Sequence, residues 1–278
     1  MPPRIGAHLP VGKGLVKTAA EARKLGLEAL QIFVRNPRGA AARELGAEEI
    51  DLFRKEIAAA DIDPVVVHIP YISNPASVKP DLYALAGRII SEDLTRCDLI
   101  GARILVLHPG SSTGSTSQES LARLAKLLEK VLDDYQGGAQ ILLETMSGQG
   151  SELGRNFDEL KMIFDNCSQA NQLGICFDTC HTYAAGYDLK TVTGIDQTAE
   201  EITRLLGQEV IKVVHINDSL GSLGSHRDRH APIGRGELGE ESLQLIMRHP
   251  LFNKTPFVLE TPFETLTEDV EILKRLRS

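Results

Sequence analysis

Residues 173–188 read LGICFDTCHTYAAGYD. The opening residues form a short apolar run with no charge, the pattern of a β-strand buried on both faces. The run ends at Asp178, and His181 follows three residues later with Cys180 between them. A carboxylate and an imidazole at the end of a hydrophobic strand are costly to desolvate unless something pairs with them, and a metal ion is one such partner.

Seven similar runs lie along the chain: RIGAH (4–8), ALQIFV (29–34), PVVVH (64–68), RILVLH (103–108), QILLE (140–144), IKVVH (211–215) and PFVLE (256–260). Between them stand segments such as GLVKTAAEARKLG, EEIDLFRKEIAAAD, PDLYALAGRIISEDLTRCDLIG, ESLARLAKLLEKVLDDY and NFDELKMIF, most with apolar residues three and four apart as amphipathic helices require. The alternation predicts one α/β domain over residues 1–278, a single closed (β/α)8 barrel of the TIM type. An open doubly wound sheet is the alternative, but no G-x-G-x-x-G follows the first strand.

The last polar residues of these runs are His8, His68, His108, Glu144, Asp178, His215 and Glu260, separated by 60, 40, 36, 34, 37 and 45 positions. In such a barrel the C-terminal strand ends converge on one face, so these side chains would share one mouth. Two pairs join them: Asp178 with His181, and Asp228 with His230 in the loop GSHRDRHAPIGRGELG. His68, His108, His181, His215 and His230 with Glu144, Asp178, Asp228 and Glu260 supply five imidazoles and four carboxylates. That chemistry suits zinc, manganese or iron in an open catalytic site, and the number suffices for three ions if one carboxylate bridges. His8 is left between supporting a ligand and touching substrate, and His226 and His249 are assigned to the surface.

Lys and Arg total 30 against 38 Asp and Glu, a formal charge of −8 that by itself matches a polyanion poorly. Acidic residues spent on three divalent cations remove most of that objection. The four cysteines (Cys97, Cys167, Cys176 and Cys180) have no C-x-x-C spacing and are expected to be reduced and mostly buried. No secretory signal and no membrane-length apolar stretch is apparent, so a cytoplasmic protein without membrane association is expected. The segment GSSTGSTSQES (110–120) reads as an ordinary mobile loop.

The stretches DTCHTYAAGYD, HINDSLGSLGSHRDRHAPIGRGELG, LHPGS and LETMSGQGSELG resemble endonuclease IV, the metal-dependent apurinic/apyrimidinic DNA-repair nucleases. The resemblance runs from IGAH near the start to the LET at 259–261 and implies a trinuclear zinc cluster. It implies His68, His108 and Glu144 for one ion, and Glu144 as a bridge with Asp178, His215 and Glu260 for the second. His181, Asp228 and His230 would hold the third, and manganese or iron is admissible at one or more sites. The implied reaction cuts the phosphodiester 5′ to an abasic site in double-stranded DNA, leaving a 3′-hydroxyl and a 5′-deoxyribose phosphate, with trimming of blocked 3′ ends besides. A hydroxide shared between two ions is the expected nucleophile, with Glu144 and Glu260 as catalytic carboxylates and a monomer as the working form. DNA contacts are implied for Arg38 in NPRGAAA and for Tyr71 and Ile72 as a wedge. Thr145 and Met146 stand where family members often carry Asn and Thr, and Ile69 and Pro70 also depart, which bears on fine specificity.

A sugar isomerase or epimerase is the competing expectation, since it too carries Glu, Asp and His at barrel strand ends. Such enzymes need one or two metals and leave no task for His181, Asp228 and His230. A lesion-binding or metal-storage protein without catalysis is a third reading.

Overall fold

Eight parallel strands close into a barrel in the computed structural model, which describes residues 2–70 and 73–278. They are β1 (Ile5–His8), β2 (Ala29–Phe33), β3 (Val65–His68), β4 (Ile104–Leu107), β5 (Gln140–Glu144), β6 (Leu173–Asp178), β7 (Ile211–His215) and β8 (Phe257–Leu259). Each pairs with its sequence neighbours, and β1 closes the ring on β8 with Gly6 opposite Val258. All eight strands read from the sequence are present, and their observed ends lie within one residue of the predicted ones.

The helices are α1 (Leu15–Lys24), α2 (Ala47–Ala59), α3 (Pro80–Ile100), α4 (Ser117–Asp134), α5 (Phe157–Asp165), α6 (Thr179–Ala185), α7 (Val192–Leu206), α8 (Gly239–Arg248) and α9 (Leu266–Arg277). No helix among the described residues is long and apolar enough to cross a membrane. A short antiparallel ladder joins Asp218–Ser219 to His230–Ala231 beyond β7.

Two separate apolar cores follow from the period-two alternation of a strand. The outer one packs the helices against the barrel, while the inner one is a layer of Val66, Val106, Leu142, Cys176, Val213 and Val258. Each of these six stands two residues before His68, His108, Glu144, Asp178, His215 or Glu260, so each of the latter six lies on the same strand face. The inner layer is thus the apolar floor under the polar mouth. Beside it β1 and β2 approach closely: a Cβ at Gly6 would lie 2.4 Å from the Ala29 carbonyl oxygen.

The serine-rich segment is tied down rather than loose. Asn74 Nδ2 donates to Ser111 Oγ at 3.0 Å, and Ser112 N donates to Ser151 O at 2.9 Å, linking the loops after β3, β4 and β5. Helix α4 starts at Ser117 because Thr116 and Glu119 form a capping box, satisfying two N-terminal backbone donors.

The loop after β2 is clamped to α3. The Arg35 guanidinium, fully buried, meets the Asp93 carboxylate at 2.7–3.0 Å, reaches Glu92 at 3.0 Å and donates to Ala40 O at 2.6 Å. Removing one partner of a buried pair strands the other charge. Asp93→Ala should therefore lower stability by about 3 kcal/mol in urea unfolding, with Glu92 limiting the loss. The paired Arg35→Met/Asp93→Leu replacement should recover most of it; a single variant as stable as the parent would show that the pair contributes nothing.

Candidate metal centre

The mouth of the barrel brings together all nine side chains singled out in the sequence. Glu144, at the end of β5, lies at the centre. His68 Nε2 and His108 Nε2 approach Glu144 Oε2 at 3.0 and 3.1 Å, while His215 Nδ1 and His181 Nδ1 approach Oε1 at 3.1 and 3.3 Å. His215 Nδ1 also lies 3.2 Å from Glu260 Oε2 and 3.9 Å from Asp178 Oδ2.

Hydrogen bonds behind the imidazoles decide which nitrogen faces inward. His68 Nδ1 donates to the Ile69 carbonyl at 2.8 Å, leaving Nε2 to face Glu144. His181 Nδ1 donates to Thr145 O at 3.0 Å, leaving Nε2 to face Asp228 Oδ1 at 3.1 Å and His230 Nε2 at 3.4 Å. For His215 the fixed partner is Gln31. Gln31 Nε2 must donate to the Glu260 carboxylate at 2.7 Å, so its Oε1 accepts from His215 Nε2 at 2.8 Å and the Nδ1 lone pair meets the carboxylates. In the neutral tautomers three lone pairs are therefore aimed at carboxylate oxygens, an arrangement that is repulsive unless a cation lies between.

The spacing fits that cation. Two atoms about 2.0–2.1 Å from one ion at the tetrahedral angle lie about 3.3 Å apart. Three groups of ligand atoms each fall within 4.8 Å of one another: His68, His108 and Glu144; Glu144, Asp178, His215 and Glu260; and Asp178, His181 and His230. The third differs from the expected one by containing Asp178. Asp228 nonetheless flanks it, 3.1 Å from His181 Nε2 and 3.7 Å from His230 Nε2, so both carboxylates border that position.

Electrostatics point the same way. Burial works against the Glu144 carboxylate, yet the imidazoles of His215 and His108 hold its pKa well below the usual range. Burial likewise opposes charging of His181, but Asp178 and Asp228 raise it well above an ordinary histidine. A field that draws a proton onto a buried ring draws a divalent ion more strongly.

The carboxylates are oriented as well. Asp178 caps α6 by accepting from His181 N at 2.6 Å and takes the Asn217 amide on its other oxygen at 2.9 Å. Asn217 Oδ1 in turn accepts from Glu260 N at 2.9 Å, so one side chain braces two carboxylate-bearing strands. Thr145, noted for its departure from the family, accepts from Asp178 N at 2.8 Å and so fixes the backbone behind that carboxylate.

Gln31 and Asn217 were not singled out in the sequence. Gln31 had a signal, being the lone polar residue in the apolar run ALQIFV; Asn217 lies just past the end of β7 and had none. His8 is a support for Gln31, whose Nε2 donates to His8 Nδ1 at 3.0 Å, and burial pushes the His8 pKa down. His226 is exposed, with Nδ1 donating to Ser147 O at 2.9 Å. His249 corrects the surface assignment: it is partly buried and pairs with Asp196 at 3.3 Å. All four cysteines are buried, and burial pushes the thiols of Cys176 and Cys180 up to about 12; none of the three convergent ligand groups contains a cysteine. Arg38 is exposed on the loop after β2, its backbone N–H donating to Asn36 Oδ1 at 2.9 Å. Tyr71 and Ile72 lie outside the described residues.

Residues 19–276 match the family described as xylose isomerase-like TIM barrel. A probable endonuclease 4 from Halothermothrix orenii is 38% identical over 275 residues, covering 99% of both chains. The crystal structure of endonuclease IV from Thermus thermophilus superposes with a TM-score of 0.86 at 32% identity, over 99% of this chain and 98% of that one. A D-tagatose 3-epimerase-like protein shares the fold at a TM-score of 0.75 and 22% identity, over 98% of this chain and 96% of that one. The extended match in sequence, the barrel and the carboxylate–imidazole mouth converge: the chain belongs to the endonuclease IV family of DNA-repair hydrolases.

Proposed function

We propose that the chain hydrolyses the phosphodiester 5′ to an abasic site in duplex DNA, leaving a 3′-hydroxyl and a 5′-deoxyribose phosphate, and that it also trims blocked 3′ ends. The observation that carries this reading is the set of three imidazole lone pairs fixed from behind and aimed at shared carboxylates. His68, His108 and Glu144 would hold one cation, Glu144, Asp178, His215 and Glu260 a second, and His181, Asp228 and His230 a third, with Asp178 bordering it. Zinc suits this donor set, and manganese or iron is admissible; when bound, such ions lower the pKa of water and neutralise charge on a departing oxygen.

The chain's own groups do the positioning. Glu144 faces four imidazoles, which keep it ionised and able to bridge. Glu260 is held by Gln31 on one oxygen and faces His215 with the other; burial opposes its charge, but His215 and His8 depress its pKa. With one oxygen fixed by Gln31, Glu260 is placed to orient the attacking water and to accept its proton. Arg38, Tyr71 and Ile72 are proposed to meet the DNA. An abasic nucleotide lacks a base to unstack, which lowers the cost of turning it into the mouth.

An end-labelled duplex carrying one stable abasic analogue tests the reading. Metal-replete protein should cut once, immediately 5′ to the analogue, and yield an end that a polymerase extends; a chelator should stop it. An intact duplex combined with aldose–ketose turnover would transfer the chain to the sugar-converting members of the fold.

A further inference from the structure

A second cavity, of about 770 Å³, opens beside the mouth and is lined by Leu9, Pro10, Lys13, Lys17, Lys24 and Phe263 among others. Its position is set by the residues already described. Leu9 directly follows His8, and Phe263 stands three residues beyond Glu260, so the cavity begins where β1 and β8 end. Gly12 borders both this cavity and the adjoining one formed with Arg35, Asn36 and Pro37, which continues the rim toward the loop of Arg38.

Its chemistry has two halves. Phe263 is 52% exposed, so its ring is open to contact from a ligand in the cavity. Lys24 is engaged by Glu21 at 3.7 Å, but no carboxylate among the described residues pairs with the exposed Lys13 or Lys17. On a chain of net charge −8, two unneutralised ammonium groups beside a bare ring are a local reversal of sign. An aromatic face with adjacent cations is how proteins hold an unpaired nucleotide, the ring stacking on the base and the cations meeting its phosphate. The volume lies in the roughly 300–1,000 Å³ range of small-ligand sites.

We propose that this shelf binds an unpaired nucleotide of the substrate strand on one side of the scissile position, with the base on Phe263 and its phosphate on Lys13 and Lys17. The inference rests on the nuclease reading above. It makes the enzyme favour abasic sites whose flank on that side is already opened.

The test compares three duplexes around one abasic analogue: fully paired, mismatched over two positions on the 5′ side, and mismatched on the 3′ side. The parent should show a lower KM for one of the two opened substrates. Phe263→Ala should raise KM for that substrate by roughly 5- to 100-fold, leaving kcat, metal content and the fully paired substrate unchanged. Lys13→Gln/Lys17→Gln should reduce the slope of log affinity against log salt by about 1 to 2 on the same substrate. A parent indifferent to which flank is open, or a Phe263→Ala enzyme that keeps the preference, overturns the shelf while leaving the nuclease reading intact. A parent that cuts none of the three overturns the nuclease reading and the shelf with it. Loss of affinity for all three substrates alike would mark Phe263 as a general contact and also overturn the proposal.

Discussion

Replacing Glu260 with glutamine should leave abasic-duplex affinity within a few-fold of the parent and lower single-turnover incision by on the order of 10³ or more. The substitution preserves shape. A glutamine carbonyl still accepts from Gln31 Nε2, which approaches Oε1 at 2.7 Å, and the backbone N–H still reaches Asn217 Oδ1. What disappears is the negative charge 3.2 Å from His215 Nδ1, one of three carboxylates in the central group. Affinity should hold because the proposed DNA contacts stand on the rim, outside this group. Fluorescence anisotropy and rapid-quench incision measure the two quantities separately. Incision at the parental rate would refute the catalytic role of Glu260, and loss of affinity together with rate would make it an organiser of the mouth instead.

The barrel and six of the nine converging residues were legible in the sequence for one physical reason; His181, Asp228 and His230 stood out only through carboxylate–imidazole pairing at short spacing. A strand alternates its faces, so a polar residue ending an apolar run stands over the inner core residue two positions earlier. Val66 under His68 and Leu142 under Glu144 repeat this around the ring. The stretch at 173–188 carried one further detail. Strand β6 runs straight into α6, and Asp178 caps the helix by accepting from His181 N. The three-residue spacing of Asp178 and His181 is therefore the first turn of a helix, which sets the imidazole above the carboxylate. Illegible were the contacts made across the ring. Gln31 meets Glu260 across 229 positions and His215 across 184, and no local pattern encodes such a pairing. Nor does spacing reveal that Asp178 borders two ligand groups, because that depends on the angle at which the loop bearing Asp228 and His230 returns.

His181→Ala tests most sharply whether the third ligand group serves phosphodiester cleavage. His181 is almost fully buried, with Nδ1 on Thr145 O and Nε2 between Asp228 and His230, so its removal dismantles the third group while sparing the other two. Bound metal should fall from about three ions per chain to about two, the number of intact groups. Incision should fall at least about 10²-fold, since neutralising a departing oxygen is worth several kcal/mol. The variant also leaves the Thr145 carbonyl without its donor, a cost of about 1–3 kcal/mol that thermal unfolding must register as modest. A variant that keeps its fold, holds two ions and loses incision ties the third cation to phosphodiester chemistry. One that holds two ions and still cuts at the parental rate would leave His181, Asp228 and His230 without a catalytic task and assign the cleavage to the first two groups alone.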